Sequence, residues 1–230
     1  MTETLKVKKD RGYHIKMLAT LGMLSAMAYV ITFICRVPII PSVPFLDLEF
    51  KSAIILIGGF IYGPLPAFAV TVVVCFLEML TFSSTGFIGF IMNVLATAAF
   101  VCPAAFVYKK KKSLLGAIIG LAAGTVLMTI VMLLWNYLVT PIYMHISREM
   151  IIPLLLPAFL PFNVIKGALN SSVALILYKF VVSALRKAKL LPQGGDKSKK
   201  KTSAFISSIV LSILIITTCV LVILAFNGVF

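Results

Sequence analysis

Seven apolar segments, separated by short polar connections, constrain this sequence most strongly. A helix needs about 20 apolar residues to cross the hydrocarbon of a bilayer, where its backbone groups must be hydrogen-bonded internally. Charged residues, Pro and Gly place the predicted helices at residues 17–35, 51–63, 65–81, 87–108, 114–138, 158–182 and 203–226. With 61% hydrophobic and 12% charged residues, the chain is predicted to be an all-α integral membrane protein without a soluble catalytic domain.

Basic residues concentrate in three of the connections and orient the predicted bundle. They lie in residues 1–16, 109–112 and 186–202, which fall on one side if the seven helices alternate in direction. Positively charged connections are retained in the cytoplasm. We therefore expect a multi-pass protein of the cell (plasma) membrane with its N-terminus in the cytoplasm and its C-terminus outside. The net charge of +14 is then explained by basic residues that flank membrane helices. We expect a lipid membrane as partner and no nucleic acid.

The same features divide the chain into four predicted parts. Residues 1–16 form a basic cytoplasmic N-terminus, residues 17–185 a six-helix membrane domain, residues 186–202 a basic cytoplasmic linker, and residues 203–226 an additional transmembrane helix. The linker contains Gly194, Gly195 and several lysines, a composition typical of flexible tethers. The last helix is therefore predicted to be an addition tethered to the bundle.

No catalytic or metal-binding motif occurs in the sequence. It lacks G-x-x-x-x-G-K-S/T, H-E-x-x-H and G-x-S-x-G, the patterns of nucleotide-binding loops, zinc proteases and serine hydrolases. The four cysteines lie singly in apolar runs, without a Cys-x-x-Cys pair. We expect neither an enzyme nor a bound metal or cofactor.

We single out five polar residues inside apolar segments, where polar and especially ionisable groups are costly to bury. They are Glu78, Asn93, Asn136, Asn163 and Lys166, all in the half of the bundle away from the basic connections. Intramembrane ionisable residues are functional candidates because of that cost. Asn163 and Lys166 are three residues apart and share a helix face, and Lys166 is the only cation predicted to lie deep. Their convergence at one level favours a binding pocket.

Each of these residues also has a structural interpretation. Lys166 could extend its ammonium group to the headgroups, Glu78 could meet water at a helix end, and Asn93 could form an interhelical hydrogen bond. Trp135 is better explained by the aromatic belt at the membrane interface. Only the convergence of the set favours the pocket over these alternatives.

The connection after the first helix is a candidate lid. Pro38, Pro41 and Pro44 recur at every third position, which predicts an extended, polyproline-like loop. This loop leads into Leu46 and Asp47, which are expected to lie over the pocket.

The first helix carries a stripe of small residues. Ala19, Gly22 and Ala26 include a small-x-x-x-small pattern, which allows another helix to approach closely. The partner helix could belong to the same bundle or to another membrane subunit.

Several segments resemble, in order and spacing, the riboflavin-binding S components, of the RibU type, of energy-coupling-factor (ECF) vitamin transporters. The more specific of these segments are Pro161-Phe-Asn-Val-Ile-Lys-Gly167 and Trp135-Asn-Tyr-Leu-Val-Thr-Pro-Ile-Tyr143. Residues 45–50, 56–64 and 85–93 also resemble the family. The resemblance covers roughly residues 15–185. It implies a six-helix substrate-capturing subunit with an outward-facing pocket, closed by the loop after the first helix.

The resemblance also implies a ligand and partners. Riboflavin or a related flavin would be the transported ligand rather than a cofactor, and an ECF transmembrane coupling subunit with two cytoplasmic ATPases would supply the energy. Glu78, Asn136, Asn163 and Lys166 would contact the flavin, and Leu46 would cover its ring. The stripe of Ala19, Gly22 and Ala26 would contact the coupling subunit.

The sequence departs from the family pattern at the start of the second helix. It reads Glu49-Phe-Lys-Ser-Ala-Ile54 where such proteins often read Asp-Phe-Ser-Asp-x-Pro. Lys51 could face the phosphate of flavin mononucleotide (FMN) or could be solvated at the helix end. The open alternatives are therefore an S component for FMN, folate or another vitamin, and a membrane scaffold that transports nothing.

Overall fold

The computed structural model describes residues 2–39, 46–83, 85–145, 147–191 and 200–226. Within these ranges the chain forms nine α-helices, one π-helical segment at Leu155–Phe159 and two short strands. The helices are α1 (Thr2–Ile34), α2 (Lys51–Tyr62), α3 (Pro64–Thr81), α4 (Gly86–Lys110), α5 (Leu114–Leu138), α6 (Thr140–Met144), α7 (Arg148–Leu154), α8 (Leu160–Lys187) and α9 (Lys200–Phe226). The all-α membrane fold is thereby confirmed.

Six helical stretches of the described chain are long and apolar enough to cross a membrane. They are Gly12–Ile34, Pro64–Thr81, Gly86–Lys110, Leu114–Ile142, Arg148–Lys187 and Ile206–Phe226. The seventh predicted segment, α2, has only 12 residues and is about 18 Å long. Its residues from Lys51 to Phe60 are all buried, so α2 forms the centre of the bundle, enclosed by α1, α3, α4 and α8.

Small residues set the close packing of α4 against α5. A Cβ atom built on Gly124 would lie 2.3 Å from the carbonyl oxygen of Phe100, and one on Gly120 would lie 2.8 Å from that of Ala104. Both distances are shorter than real Cβ contacts allow. The two helices can approach this closely only because these positions are glycine.

Gly124→Ala is therefore expected to destabilise the bundle by about 1–3 kcal/mol, the usual cost of overpacking a core. The measurement is the thermal unfolding midpoint of the protein in mild detergent. Gly22→Ala is the matched control, because Gly22 lies on an exposed helix face with no atom within 4 Å of a built Cβ. Equal midpoints for the two variants would contradict this packing.

The structure differs from the sequence prediction at both ends of α1. The helix begins at Thr2 rather than at residue 17, so the basic N-terminus continues the helix. After α1, the predicted polyproline-like loop instead contains strands β1 (Val37–Pro38) and β2 (Asp47–Leu48), paired antiparallel. Pro41 and Pro44 lie outside the described residues. The pairing of Pro38 with Asp47 places it in a β-strand rather than in a polyproline-like helix.

The sixth predicted segment is longer than residues 158–182. It runs from Arg148 to Lys187 as one membrane-length stretch, in which α7, the π-helical segment and α8 follow each other without a break. Pro153 and Pro157 lie in this stretch, and Pro lacks the N–H that an α-helix needs. The wider π-turn next to Pro157 lets the chain remain helical despite the missing donor.

The last helix packs on the bundle rather than being only tethered to it. Its residues Ser208, Ser212 and Cys219 are buried, and α9 lies against α8. These positions follow a spacing of four and seven residues, which places them on one helix face. The glycines of the predicted linker lie outside the described residues.

Candidate functional site

A cavity opens at one end of the bundle, between the β1–β2 hairpin, α4, α5 and α8. Its lining includes six of the seven predicted site residues: Leu46, Asp47, Asn93, Asn136, Asn163 and Lys166. They come from four parts of the chain that are distant in sequence. Four of the five polar residues singled out by their cost in hydrocarbon thus lie together in space.

The walls of the cavity are largely apolar and adaptable. Trp135 and Phe162 contribute aromatic rings, and Met92, Met132 and Met144 contribute flexible thioether side chains. The described cavity measures about 170 Å³, less than the several hundred Å³ of typical sites that enclose an organic ligand. Trp135 lines this cavity, so it does more than form part of an interfacial belt.

The amides of Asn136 and Asn163 are held by their own helices. Asn136 Nδ2 donates to the carbonyl oxygen of Met132 at 2.7 Å, and the hydroxyl of Thr140 donates to Asn136 Oδ1 at 3.0 Å. Asn163 Nδ2 donates to the carbonyl oxygen of Phe159 at 2.8 Å. An amide nitrogen carries two N–H groups, so each asparagine keeps a second donor that can serve a ligand from a fixed position.

Four charged side chains form a buried network beside the cavity. Glu49 Oε1 lies 2.9 Å from Lys51 Nζ and 2.9 Å from Lys166 Nζ, while Lys51 Nζ lies 2.5 Å from Glu78 Oε2. The side chain of Lys51 is 0% exposed and that of Glu78 is 3% exposed. The two negative carboxylates and the two positive ammonium groups give the network a net charge of zero. Charges that are buried away from water have to be paired in this way.

Glu49 remains ionised in this environment. Burial alone would raise the pKa of its carboxyl group, but the positive charges of Lys166 and Lys51 and their hydrogen bonds lower that pKa to about 2. The carboxylate is therefore charged at every physiological pH. It holds the ammonium group of Lys166 at the wall of the cavity.

Asn170 fixes the position of Glu49 and was not identified from the sequence. Its Oδ1 accepts a hydrogen bond from the backbone N–H of Ala53 at 3.0 Å, and its Nδ2 donates to the carbonyl oxygen of Glu49 at 2.9 Å. Asn170 lies one turn beyond Lys166, on the helix face that Asn163 and Lys166 share. A search of the sequence one helical turn further along that face would have identified Asn170.

Asn170→Ala is expected to destabilise the protein by about 1–3 kcal/mol. It removes the donor to the buried carbonyl oxygen of Glu49 and leaves the N–H of Ala53 with the carbonyl oxygen of Phe50 as its remaining acceptor. Ser172→Ala is the control, since the buried hydroxyl of Ser172 bonds only the carbonyl oxygen of Ala168 in its own helix. Thermal unfolding in detergent compares the two. A smaller loss for Asn170→Ala than for Ser172→Ala would show that Asn170 does not tie α8 to α2.

Two expectations about charged residues were wrong. Lys51 is not solvated at a helix end and does not line the cavity, because it is fully buried between Glu49 and Glu78. Lys166 is therefore not the only deep cation. Glu78 is the one predicted site residue outside the cavity lining, since its carboxylate points to Lys51. Sequence spacing alone cannot show which charges pair across helices.

The hairpin places Leu46 and Asp47 at the edge of the cavity. Asp47 Oδ2 lies 2.5 Å from Arg36 Nε, a pair that links the end of α1 to β2. Leu46 is buried against an apolar cluster that includes Ile39 and Phe162. Apolar contacts thereby hold the hairpin against α8, and the ion pair ties β2 to the end of α1.

The small-residue stripe of α1 faces outward. Ala19, Gly22 and Ala26 are exposed, whereas Leu24 and Ala28 are buried on the opposite face. The stripe therefore does not pack within the described bundle. It remains a smooth surface open to another membrane protein or to lipid.

Comparison with known proteins identifies the family. A family model described as "ECF transporter, substrate-specific component" matches residues 16–178. The chain is a member of this family. The match ends in α8 and does not include α9.

Two relatives and one solved structure support this membership. The chain is 36% identical to the riboflavin transporter RibU of Staphylococcus aureus (strain TCH60), over 75% of this chain and 93% of the relative. It is 32% identical to the riboflavin transporter FmnP of Bacillus subtilis (strain 168), over 71% and 90% respectively. A structure titled "Structure and mechanism of the S component of a bacterial ECF transporter" superposes with a TM-score of 0.64, at 36% identity, covering 75% of this chain and 99% of the other.

Proposed function

We propose that this substrate-specific component captures riboflavin from outside the cell for uptake driven by ATP hydrolysis in partner subunits. The observation that carries the proposal is the convergence of six polar and lid residues on one cavity. Membership of the family and relatives named riboflavin transporters support the choice of ligand. Lys51, the residue expected to face the phosphate of FMN, does not line the cavity, so it gives no reason to prefer FMN.

The cavity can recognise the two parts of a flavin by different means. Apolar burial against Trp135 and Phe162 stabilises the tricyclic ring, while the amides of Asn136 and Asn163 hydrogen-bond its polar edge or the ribityl hydroxyls. Lys166, held by Glu49, adds a charge-assisted donor. Affinity then comes mostly from the ring and specificity from the polar groups.

Binding requires the cavity to enlarge. Its volume of about 170 Å³ is too small for a typical enclosed organic ligand, and its three methionines can change rotamer at low cost. The β1–β2 hairpin is the element proposed to move, because it lies at the edge of the cavity and rests on α8 through the apolar contacts of Ile39, Leu46 and Leu48. The hairpin would open to admit the flavin and close over it.

The basic connections orient the subunit. Lys109, Lys112 and Arg186 lie at the end of the bundle opposite the flavin cavity, and positive connections are retained in the cytoplasm. The cavity then faces outside, and α1 begins in the cytoplasm. The exposed stripe of Ala19, Gly22 and Ala26 would contact the ECF coupling subunit, to which two cytoplasmic ATPases supply energy.

A ligand panel tests the choice of riboflavin. The protein in mild detergent is heated with riboflavin, FMN, folate or thiamine, and the unfolding midpoint is recorded. A ligand that binds only the folded state stabilises it by about 2.7 kcal/mol at 100 times its Kd. Riboflavin is expected to give the largest shift at a given concentration. A larger shift with folate or thiamine would reassign the substrate, and no shift with any of them would favour the scaffold.

A further inference from the structure

A second cavity lies at the basic end of the bundle, opposite the flavin cavity. We propose that it binds the phosphate group of an anionic phospholipid from the adjoining leaflet. Its volume is about 530 Å³. Three cations and four tyrosines contribute to its lining: Lys109, Lys112, Arg186, Tyr13, Tyr62, Tyr108 and Tyr178.

The cations reach this cavity from two separate segments of the chain. Lys109 lies in the last turn of α4, Lys112 lies in the connection to α5, and Arg186 lies in the last turn of α8. Among the described side chains no carboxylate lines the cavity, and the ion pairs of the described residues involve none of the three cations. Like charges gathered in this way repel each other. A bound anion would relieve that repulsion.

The tyrosines add hydroxyl donors beside the cations. The hydroxyl oxygens of Tyr108 and Tyr178 lie 3.4 Å apart, and one donates to the other, so one of the two hydroxyl hydrogens remains for another acceptor. The ring of Tyr108 is fixed by Phe60, whose centroid is 4.4 Å away. A phosphate group accepts several such hydrogen bonds, and the guanidinium of Arg186 can bind two of its oxygens at once.

The position of the cavity favours a lipid over a soluble phosphate. It lies where membrane-length helices end, and basic pockets between such helices bind lipid headgroups. Apolar side chains flank it: Ile15, Leu65 and Leu115 lie within three residues of lining positions and are 61%, 78% and 67% exposed. The headgroup would occupy the cavity, and the acyl chains would run along this apolar surface.

Two triple variants test the site in the full chain. Lys109→Gln/Lys112→Gln/Arg186→Gln removes the three cations of the cavity. Lys110→Gln/Lys111→Gln/Lys187→Gln removes three charges from the same segments at positions outside the lining. Binding of dioctanoyl-phosphatidylglycerol to each protein in neutral detergent is titrated by native mass spectrometry, with dioctanoyl-phosphatidylcholine for comparison.

The first triple is expected to weaken phosphatidylglycerol binding by at least about 30-fold, and the control triple by about 3-fold or less. Equal losses of affinity in the two triple variants would mean that the lipid is attracted by diffuse positive charge, and this would overturn the site. Unchanged affinity in both variants would overturn it as well. If the first triple fails to fold, Lys112→Gln is compared with Lys111→Gln, and an equal affinity for the two would overturn the proposal.

Sodium pyrophosphate separates the two sources of phosphate. The proposal expects it to bind at least about 10-fold more weakly than phosphatidylglycerol, because it lacks the acyl chains that add apolar contact. Pyrophosphate binding as tight as that of the lipid, with the same loss in the first triple, would overturn the lipid assignment in favour of a soluble ligand. Tyr178→Phe should weaken lipid binding several-fold while it preserves the ring.

Discussion

Lys51→Met is expected to lower the stability of the folded protein by about 3–5 kcal/mol, the typical cost of removing one partner from a buried ion pair. The substitution leaves the carboxylate of Glu78 in the core without the ammonium group that neutralises it. Glu78 already has one oxygen, Oε1, that lacks a hydrogen-bond partner in the described structure. Thermal unfolding in mild detergent, followed by circular dichroism, measures the loss.

The double variant Lys51→Met/Glu78→Gln should recover much of this loss. It removes one positive and one negative charge together and leaves Glu49 paired with Lys166, so the network stays neutral. Lys111→Met, at an exposed position, should change stability by less than about 0.5 kcal/mol. A double variant that is no more stable than Lys51→Met would contradict the pairing of Lys51 with Glu78.

Lys166→Ala is expected to weaken riboflavin binding by about 10- to 100-fold. It removes a hydrogen bond from a charged donor, worth about 1.5–3 kcal/mol, at the wall of the cavity. Asn136→Ala should weaken binding less, by about 10-fold, because its donor is neutral. Equilibrium titration of each variant with riboflavin measures both effects.

Two controls separate recognition from folding. Lys110→Ala changes a cation at the opposite end of the bundle and should leave riboflavin affinity unchanged. Asn136→Ala alters no charge of the buried network and removes the acceptor of the Thr140 hydroxyl, so it should cost less stability than Lys51→Met. Near-unchanged affinity in both Lys166→Ala and Asn136→Ala would remove these residues from the flavin site.

Much of the fold follows from the sequence because the bilayer imposes simple rules. Apolar segments of membrane length have to be helical, and all seven predicted segments are helical in the structure. The hairpin was missed because its two-residue strands exist only through pairing between Val37 and Leu48 and between Pro38 and Asp47. No periodicity develops over so few residues.

The candidate site was partly predictable for a related reason. Asn136, Asn163 and Lys166 are conspicuous because polar groups in hydrocarbon are costly. Lys51 was expected to face a phosphate or to be solvated at a helix end, and Glu49 was not singled out. In the structure both lie in the core as part of a neutral network. Their role depends on Glu78 and Lys166, which lie on other helices. The packing of these helices sets the distances between the four charged groups, and the sequence does not show that packing.

The central claim is that riboflavin binds in the cavity lined by Trp135, the chain's single tryptophan. The direct test is a titration of the detergent-solubilised protein with riboflavin, in which Trp135 emission and flavin emission are recorded together. We expect both to be quenched and to saturate at one flavin per chain, with a Kd from nanomolar to low micromolar, or about 8–12 kcal/mol of binding free energy. A well-folded protein that quenches neither emission would contradict the account.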